Sequence, residues 1–390
     1  MNSSIYCPNL WHGLHVSTEG DIKPCCFWPN ISGHNLKSSK IEEVVNSEEW
    51  LDARRKMICG QKPELCRPCF DQEARGQYST RYWNIKACQS QSKKMEKPLL
   101  LRKLDPYFVD LRFDNTCNLR CKTCCGDAST AWAAFEHKTY PTNTLEQKQI
   151  LKDTILGSAD NLVEIYFAGG EPILMKEAWQ LVEQLLEQGT THLKLRYNTN
   201  LTTLEAWGKN ILDLWEKWIA AGGEVQVAVS IDATGEAEEY IRQGTNWQKQ
   251  VQNFKDLTDR FRNNPRMYIS VVPVTSILSV CRVPELFKFV ESLGLDSHIV
   301  ETHNILVVPR WYCLQILPDT YKKVVLDTVE GSSPREREYK RTIEVFLNQK
   351  HYTEQECLDA IQQFIELEDL DRFNQINPEL KDWWKYGHTV

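Results

Sequence analysis

From about residue 107 onward, short apolar or β-branched runs alternate with amphipathic stretches of helical period. The runs are "YFVDLRF" (107–113), "LVEIYFAG" (162–169), "HLKLRYNT" (192–199), "EVQVAVSID" (224–232), "RMYISVVPV" (266–274) and "HIVETHNILVV" (298–308). Helical stretches such as "KEAWQLVEQLLEQG" (176–189) and "VPELFKFVESLG" (283–294) fall between them. Strands alternating with helices predict an α/β fold, a parallel sheet with helices outside, in an open or partial barrel. Functional groups in such a fold gather at the C-terminal ends of the strands.

The two ends of the chain read differently. Residues 1 to about 75 are rich in Cys, Pro, Gly, Trp and His. "LWHGLHVSTEGDIKPCC" reads as a hairpin with its turn at Glu19-Gly20-Asp21, ending in cysteines. "SSKIEEVVNSEEWLDARRKMI" predicts one helix, with Ser and Glu near its start. "QSQSKKMEKP" (89–98) is polar and unpatterned, as a linker is. Beyond "LQILP" (314–318) the pattern is helix with breaks. The expected division is 1–98, 99–318 and 319–390. The last part is expected to cap the open barrel, with Trp383 and Trp384 as packing residues.

Composition narrows the class. The chain has 390 residues, 42% of them hydrophobic, enough for an ordinary core. Its formal charge of −7 argues against a general nucleic-acid binder. The mixed stretch "SPREREYKR" (333–341) reads as a solvated helical face. The start, "MNSSIYCPNLWHG", carries no secretory pattern, and no run approaches the roughly 18 apolar residues of a membrane span. The expectation is a cytoplasmic protein with neither nucleic-acid nor membrane partners. Clustered cysteines in a cytosolic chain bind metal or react. Of 14 cysteines, six fall between 7 and 69 and four between 117 and 125. Cys88, Cys281, Cys313 and Cys357 are scattered and read as small hydrophobes.

"CNLRCKTCC" (117–125) follows the first strand of the alternating region. Three thiolates on one loop can wrap a soft metal centre. Structural zinc usually takes four protein ligands, whereas an iron–sulfur cube can take three and leave one iron open. "CNLRCKTC" resembles the C-x3-C-x2-C signature of radical S-adenosylmethionine (SAM) enzymes. "FAGGEP" (167–172), "YNTN" (197–200), "VSID" (229–232) and "EYIRQGTNW" (239–247) follow in that family's order. The resemblance implies a partial (β/α)6 barrel of the radical SAM type. It makes Cys117, Cys121 and Cys124 the ligands of a SAM-binding [4Fe–4S] cluster and the catalytic centre. Gly169, Gly170, Glu171 and Pro172 would meet the SAM ammonium, and Asn200 and Ser230 the ribose hydroxyls. Arg242 would pair with the SAM carboxylate. Asn198 and Asp232 suit either that pocket or a strand-end turn. Thr123 stands where many members carry an aromatic residue, so its backbone is left to meet the adenine. Cys125 reads as a non-ligand that packs under the loop.

The N-terminal series, Cys7, Cys25, Cys66 and Cys69 with Gly20, resembles the cluster-binding part of SPASM and twitch domains. This implies a small Cys-rich twitch-like domain holding one auxiliary [4Fe–4S] cluster, here preceding the barrel rather than following it. A four-thiolate zinc site is the alternative. Cys26 and Cys59 could each replace a ligand; His12, His15 and His34 read as fold residues. The family's chemistry is reductive cleavage of SAM to a 5'-deoxyadenosyl radical, which abstracts hydrogen from a substrate. The expected function is a radical SAM oxidoreductase or maturase oxidising or modifying a peptide side chain or a small polar metabolite. An electron donor such as flavodoxin or ferredoxin is implied. The alternatives are a dehydrogenase of a carbohydrate-like alcohol and a non-catalytic iron–sulfur electron carrier or scaffold.

Overall fold

The structure, a computed structural model, describes residues 5–74, 78–94, 96–349 and 352–386; Met95 of the expected linker lies outside them. Its main sheet has seven strands: β1 (Gly13–Val16), β2 (Ile22–Lys23), β3 (Phe108–Leu111), β4 (Glu164–Phe167), β5 (Lys194–Thr199), β6 (Glu224–Val229) and β7 (Met267–Val271). Their spatial order is β7-β6-β5-β4-β3-β1-β2. Strands β3 to β7 are parallel, as the alternation of runs and helices predicts. Side chains alternate across each strand. On one face Val109, Ile165, Leu195, Val225 and Val227 are buried beneath helices such as Lys176–Glu187 and Ile211–Ala220. These helices turn Trp179, Val182, Trp215 and Trp218 inward, one apolar stripe each. The other, concave face carries half-buried polar residues such as Arg196 and Asn198.

The sixth expected strand does not form. Residues 298–308 make a 3₁₀ turn at Ser297–Ile299 and two isolated bridges, Val271 to Val300 and Thr275 to Ile305. Asp296 accepts the His298 N–H, a local bond that competes with the ladder. The barrel is therefore partial, with six parallel strands, β1 and β3 to β7, and a bridged segment at the edge beside β7.

The N-terminal hairpin forms, and β1 also pairs in parallel with β3, Gly13 opposite Phe108 through Val16 opposite Leu111. The cysteine-rich part thus shares the sheet and one hydrophobic core with the rest. The single helix expected over 38–58 is two, Ile41–Val44 and Glu48–Ile58. Asn46 breaks it by exchanging two hydrogen bonds with the Leu101 backbone (2.7 and 2.9 Å). The basic stretch 333–341 is helical but not simply solvated: Arg335, Glu336 and Tyr339 are buried. Arg335 donates to the Val300 carbonyl, so this face packs on the bridged segment. Trp383 and Trp384 pack against Phe364 in the C-terminal core. No helix among the described residues is long and apolar enough to cross a membrane.

Candidate functional site

The loop after β3 has little regular structure, and side chains close it instead. Asp114 accepts the Thr116 N–H (2.8 Å) and pairs with Lys148 (2.5 Å), which also meets Glu177 (3.2 Å). Asn115 donates to the Gly126 carbonyl (2.9 Å), and the Ser129 hydroxyl to the Leu119 carbonyl (2.6 Å). Thr130 Oγ1 accepts the Cys117 N–H (3.1 Å) and donates to the Cys117 carbonyl (3.0 Å). The Trp132 indole N–H donates to the Cys121 carbonyl (2.9 Å). Short polar side chains supply here what a helix or ladder supplies elsewhere.

This turn brings Cys117, Cys121 and Cys124 together, all half-buried. Burial pushes Cys117 up to about 11, with Glu171 and Cys124 adding to it. Burial also pushes Cys121 well above the usual thiol range, against the Arg242 guanidinium beside it. Cys124 moves down to about 7, chiefly through hydrogen bonding with Cys125. Cys125 does not pack under the loop as expected. It is exposed, and its thiol donates to Asp127 (2.7 Å) while also hydrogen-bonding with Cys124 beside it.

A two-residue ladder sets Arg242 directly opposite Cys121. Arg242 Nη1 lies 3.8 Å from Cys121 Sγ. Its Nε and Nη2 face the two Asp232 oxygens at 2.9 and 3.1 Å, and Glu238 lies 3.6 Å from Nε. Asp232 and Glu238 are fully buried. Much of the fork expected for a ligand carboxylate is thus engaged by Asp232, and Arg242 acts on Cys121 as a neighbouring cation. Asp232 also accepts the Val274 N–H (2.7 Å), which makes it a strand-end brace. Glu238 accepts the N–H groups of Asp232 and Ala233 (2.9 and 3.1 Å). Sequence reading missed Glu238; its signal was a carboxylate four residues before Arg242 on one helical face.

The glycine pair lies under the cysteine loop. Gly169 has φ +102°, and a Cβ on Gly170 would stand 2.2 Å from the Thr116 carbonyl oxygen. Only side-chain-free residues allow this approach. The Glu171 N–H donates to the Thr116 carbonyl (2.6 Å), clamping loop to turn. The buried Glu171 carboxylate accepts from Thr199 Oγ1 (2.7 Å), Asn200 N–H (2.7 Å) and Ile173 N–H (3.1 Å). Burial lifts it to about 7 against these donors. Glu171 therefore ties the end of β4 to the end of β5, and Pro172 starts the short turn that follows. The Asn200 side chain donates to Asn118 (3.0 Å) and lies 3.9 Å from Cys117 Sγ. Gln250 and Asn253, also missed, hold the Asn200 and Leu201 carbonyls (2.9 Å each). Asn198 and Ser230 sit on the concave side of β5 and just beyond β6. Thr123 is half-buried in the turn between Cys121 and Cys124.

The second set forms at the other end of β1 and β2. Burial is the largest cause raising Cys7, Cys25 and Cys66, and neighbouring thiols add to each. Cys7 feels Cys66 and Cys69, Cys25 feels Cys7, Cys26 and Cys69, and Cys66 feels Cys25 and Cys69. These four thus converge. Cys26 stands beside them, acting on Cys25 and feeling Cys69, but after burial its larger influences are Asp110 on β3 and Arg112 just beyond it. Among the described residues no three His, Cys, Asp or Glu side chains close on a single metal ion. The two donor sets fit iron–sulfur clusters, where three thiolates leave one iron open and four complete the cage.

Residues 111–275 match the Radical SAM superfamily, and residues 7–70 match SPASM, an iron–sulfur cluster-binding domain. Among solved structures the chain is similar to Streptococcus suis SuiB bound to S-adenosylmethionine, at 15% identity and a TM-score of 0.36. That likeness covers 64% of this chain and 54% of the other, so the chain spans about half the length of that protein. No curated protein matches the chain. A radical SAM domain brings a [4Fe–4S] cluster and SAM, and a SPASM domain brings auxiliary iron–sulfur binding.

Proposed function

We propose that this chain, a member of the radical SAM superfamily by residues 111–275 with an iron–sulfur cluster-binding SPASM domain over 7–70, oxidises or modifies a peptide side chain or small polar metabolite. One observation carries the reading. The ends of β4, β5 and β6 converge on the three-thiol loop, with Asn200 3.9 Å from Cys117 and Arg242 3.8 Å from Cys121. An electron carrier needs no such set of strand ends around its thiols.

In this reading Cys117, Cys121 and Cys124 hold the cluster that takes SAM at its open iron, with Cys125 outside the set. SAM, when bound there and reduced by one electron, supplies a hydrogen-abstracting radical. Glu171, anchored at three points, fixes the Gly169–Gly170 turn at which the ammonium is received. Asn200 and Ser230 face the ribose and the Thr123 backbone the adenine. Arg242, steadied by Asp232, offsets part of the burial cost of a Cys121 thiolate and leaves its remaining N–H groups for the SAM carboxylate. Cys7, Cys25, Cys66 and Cys69 hold the auxiliary cluster. Residues 1–98, 99–318 and 319–390 serve as cluster domain with linker, barrel and helical extension. The reductant is a small electron-transfer protein of the flavodoxin or ferredoxin kind.

The test is 5'-deoxyadenosine formation from SAM by the anaerobically reconstituted, dithionite-reduced protein. Release above the rate of Cys117→Ala supports the reading. Equal rates would leave an electron carrier or scaffold as the function.

A further inference from the structure

The concave face of the sheet carries a row of large polar side chains that the SAM site does not use. The register fixes it: His15 opposes Asp110, Asp110 opposes Tyr166, Tyr166 opposes Arg196 and Arg196 opposes Gln226. The row lies between the two thiol sets. At one side Lys23 pairs with His15 and is followed by Pro24 and Cys25. At the other, β3 continues through Arg112 and Asp114 into the loop of Cys117.

The row holds two guanidiniums with donors to spare. Arg112 reaches Asp110 through Nε (3.2 Å), which leaves its Nη pair uncommitted. Asp110 is itself also held by His15 (2.9 Å). Arg196 stacks on the Tyr166 ring, its Cζ 4.5 Å from the centroid, so the ring fixes its plane. Among the described residues its one carboxylate neighbour, Glu164, is 3.7 Å from Nη1, and its buried Nε has no hydrogen-bond partner. Burial raises the Tyr166 hydroxyl, and both cations act against that rise. At the level of Arg112 the row above is small, Ala168 and Ala228 flanking Asn198. A planar fork with free N–H groups is matched by a carboxylate, which accepts two parallel bonds.

We propose that this face is the substrate floor and that Arg112 and Arg196, on either side of Tyr166, grip a carboxylate of the substrate. The assignment rests on the radical SAM reading above and deepens it: the substrate is an acid, either a glutamate or aspartate side chain of a peptide or a free carboxylic acid.

The test uses cluster-loaded protein with SAM and three probes: an end-blocked peptide containing one glutamate, its glutamine counterpart, and glutarate. Calorimetry should show the glutamate peptide or glutarate binding at least about tenfold tighter than the glutamine peptide. A stronger peptide points to a side-chain carboxylate, and stronger glutarate to a free acid. Arg196→Lys and Arg112→Lys keep the charge but lose the fork, and each should weaken the preferred probe about tenfold with iron content unchanged. Tyr166→Phe, which keeps the stacked ring, should retain binding to within about threefold. Equal affinity for the glutamate and glutamine peptides, or unchanged affinity in both lysine variants, would overturn the proposal. So would absence of binding by all three probes. Release of 5'-deoxyadenosine by the same wild-type sample is read separately, so the carboxylate assignment can fail while the radical reading stands.

Discussion

Glu368 comes from the C-terminal helical part, yet it holds the cysteine loop. Its fully buried carboxylate accepts from Lys122 Nζ (2.7 Å), Tyr312 OH (2.6 Å) and Tyr240 OH. Lys122 lies between Cys121 and Cys124, and Tyr240 is two residues before Arg242. One acid therefore latches the thiol turn and the cation beside it. Lys122 is only 9% exposed, so solvent screens the pair little. In Glu368→Ala the ammonium is left buried and unpaired. Breaking such a pair costs about 3–5 kcal/mol, and each orphaned tyrosine hydroxyl costs about 1 kcal/mol or more besides. Against a total stability of about 5–15 kcal/mol this is a large fraction. Glu368→Gln with Lys122→Met removes both charges together and should cost far less than the alanine variant. Urea denaturation of the apo-protein measures both, and a double-mutant cycle isolates the pair. A loss below about 1 kcal/mol in Glu368→Ala would refute the latch, since it would mean the buried charge finds another partner.

Other outcomes follow from the same geometry. Gly170→Ala puts a methyl group 2.2 Å from the Thr116 carbonyl, so the loop must move; we expect a loss of about 1–3 kcal/mol in denaturation and a reduced iron content at the three-thiol site. Glu171 is held at about 7, above its unfolded value near 4.5. The folded protein therefore binds the extra proton, and stability should fall as pH rises from about 4.5 to about 7. Thermal scans of Glu171→Gln should show a flatter slope over that window, and an unchanged slope would assign it to other groups. Cys125→Ser should keep the full iron count, because its thiol faces Asp127; loss of the SAM-responsive cluster would shift the ligand assignment by one residue.

The parallel sheet was legible because its strands are short apolar runs between strongly amphipathic helices. The motif residues were legible because their types and order repeat a known series. What escaped the sequence is mostly tertiary. No local pattern announces that β1 pairs with β3, because parallel partners are joined only through distant chain. Segment 298–308 has strand-like composition, but the Asp296 cap and its polar middle leave only two bridges. The roles of Gly170 and Arg242 also sharpened. The glycine accommodates the cysteine loop's own carbonyl, and the arginine is committed first to Asp232. Glu368 and Gln250 carry no motif, and only the folded chain brings them to the site.

The central claim is that Cys117, Cys121 and Cys124 hold a cluster with an open iron while Cys7, Cys25, Cys66 and Cys69 close a second one. Iron analysis with electron paramagnetic resonance of the reduced protein, with and without SAM, tests it most directly. We predict about eight irons in the wild type and about four when Cys117, Cys121 and Cys124 are all alanine, as two four-iron cubes require. The signal that changes on adding SAM should be present in the first and absent from the second. A wild type with about four irons, or a SAM-dependent change surviving in the triple variant, would contradict the account.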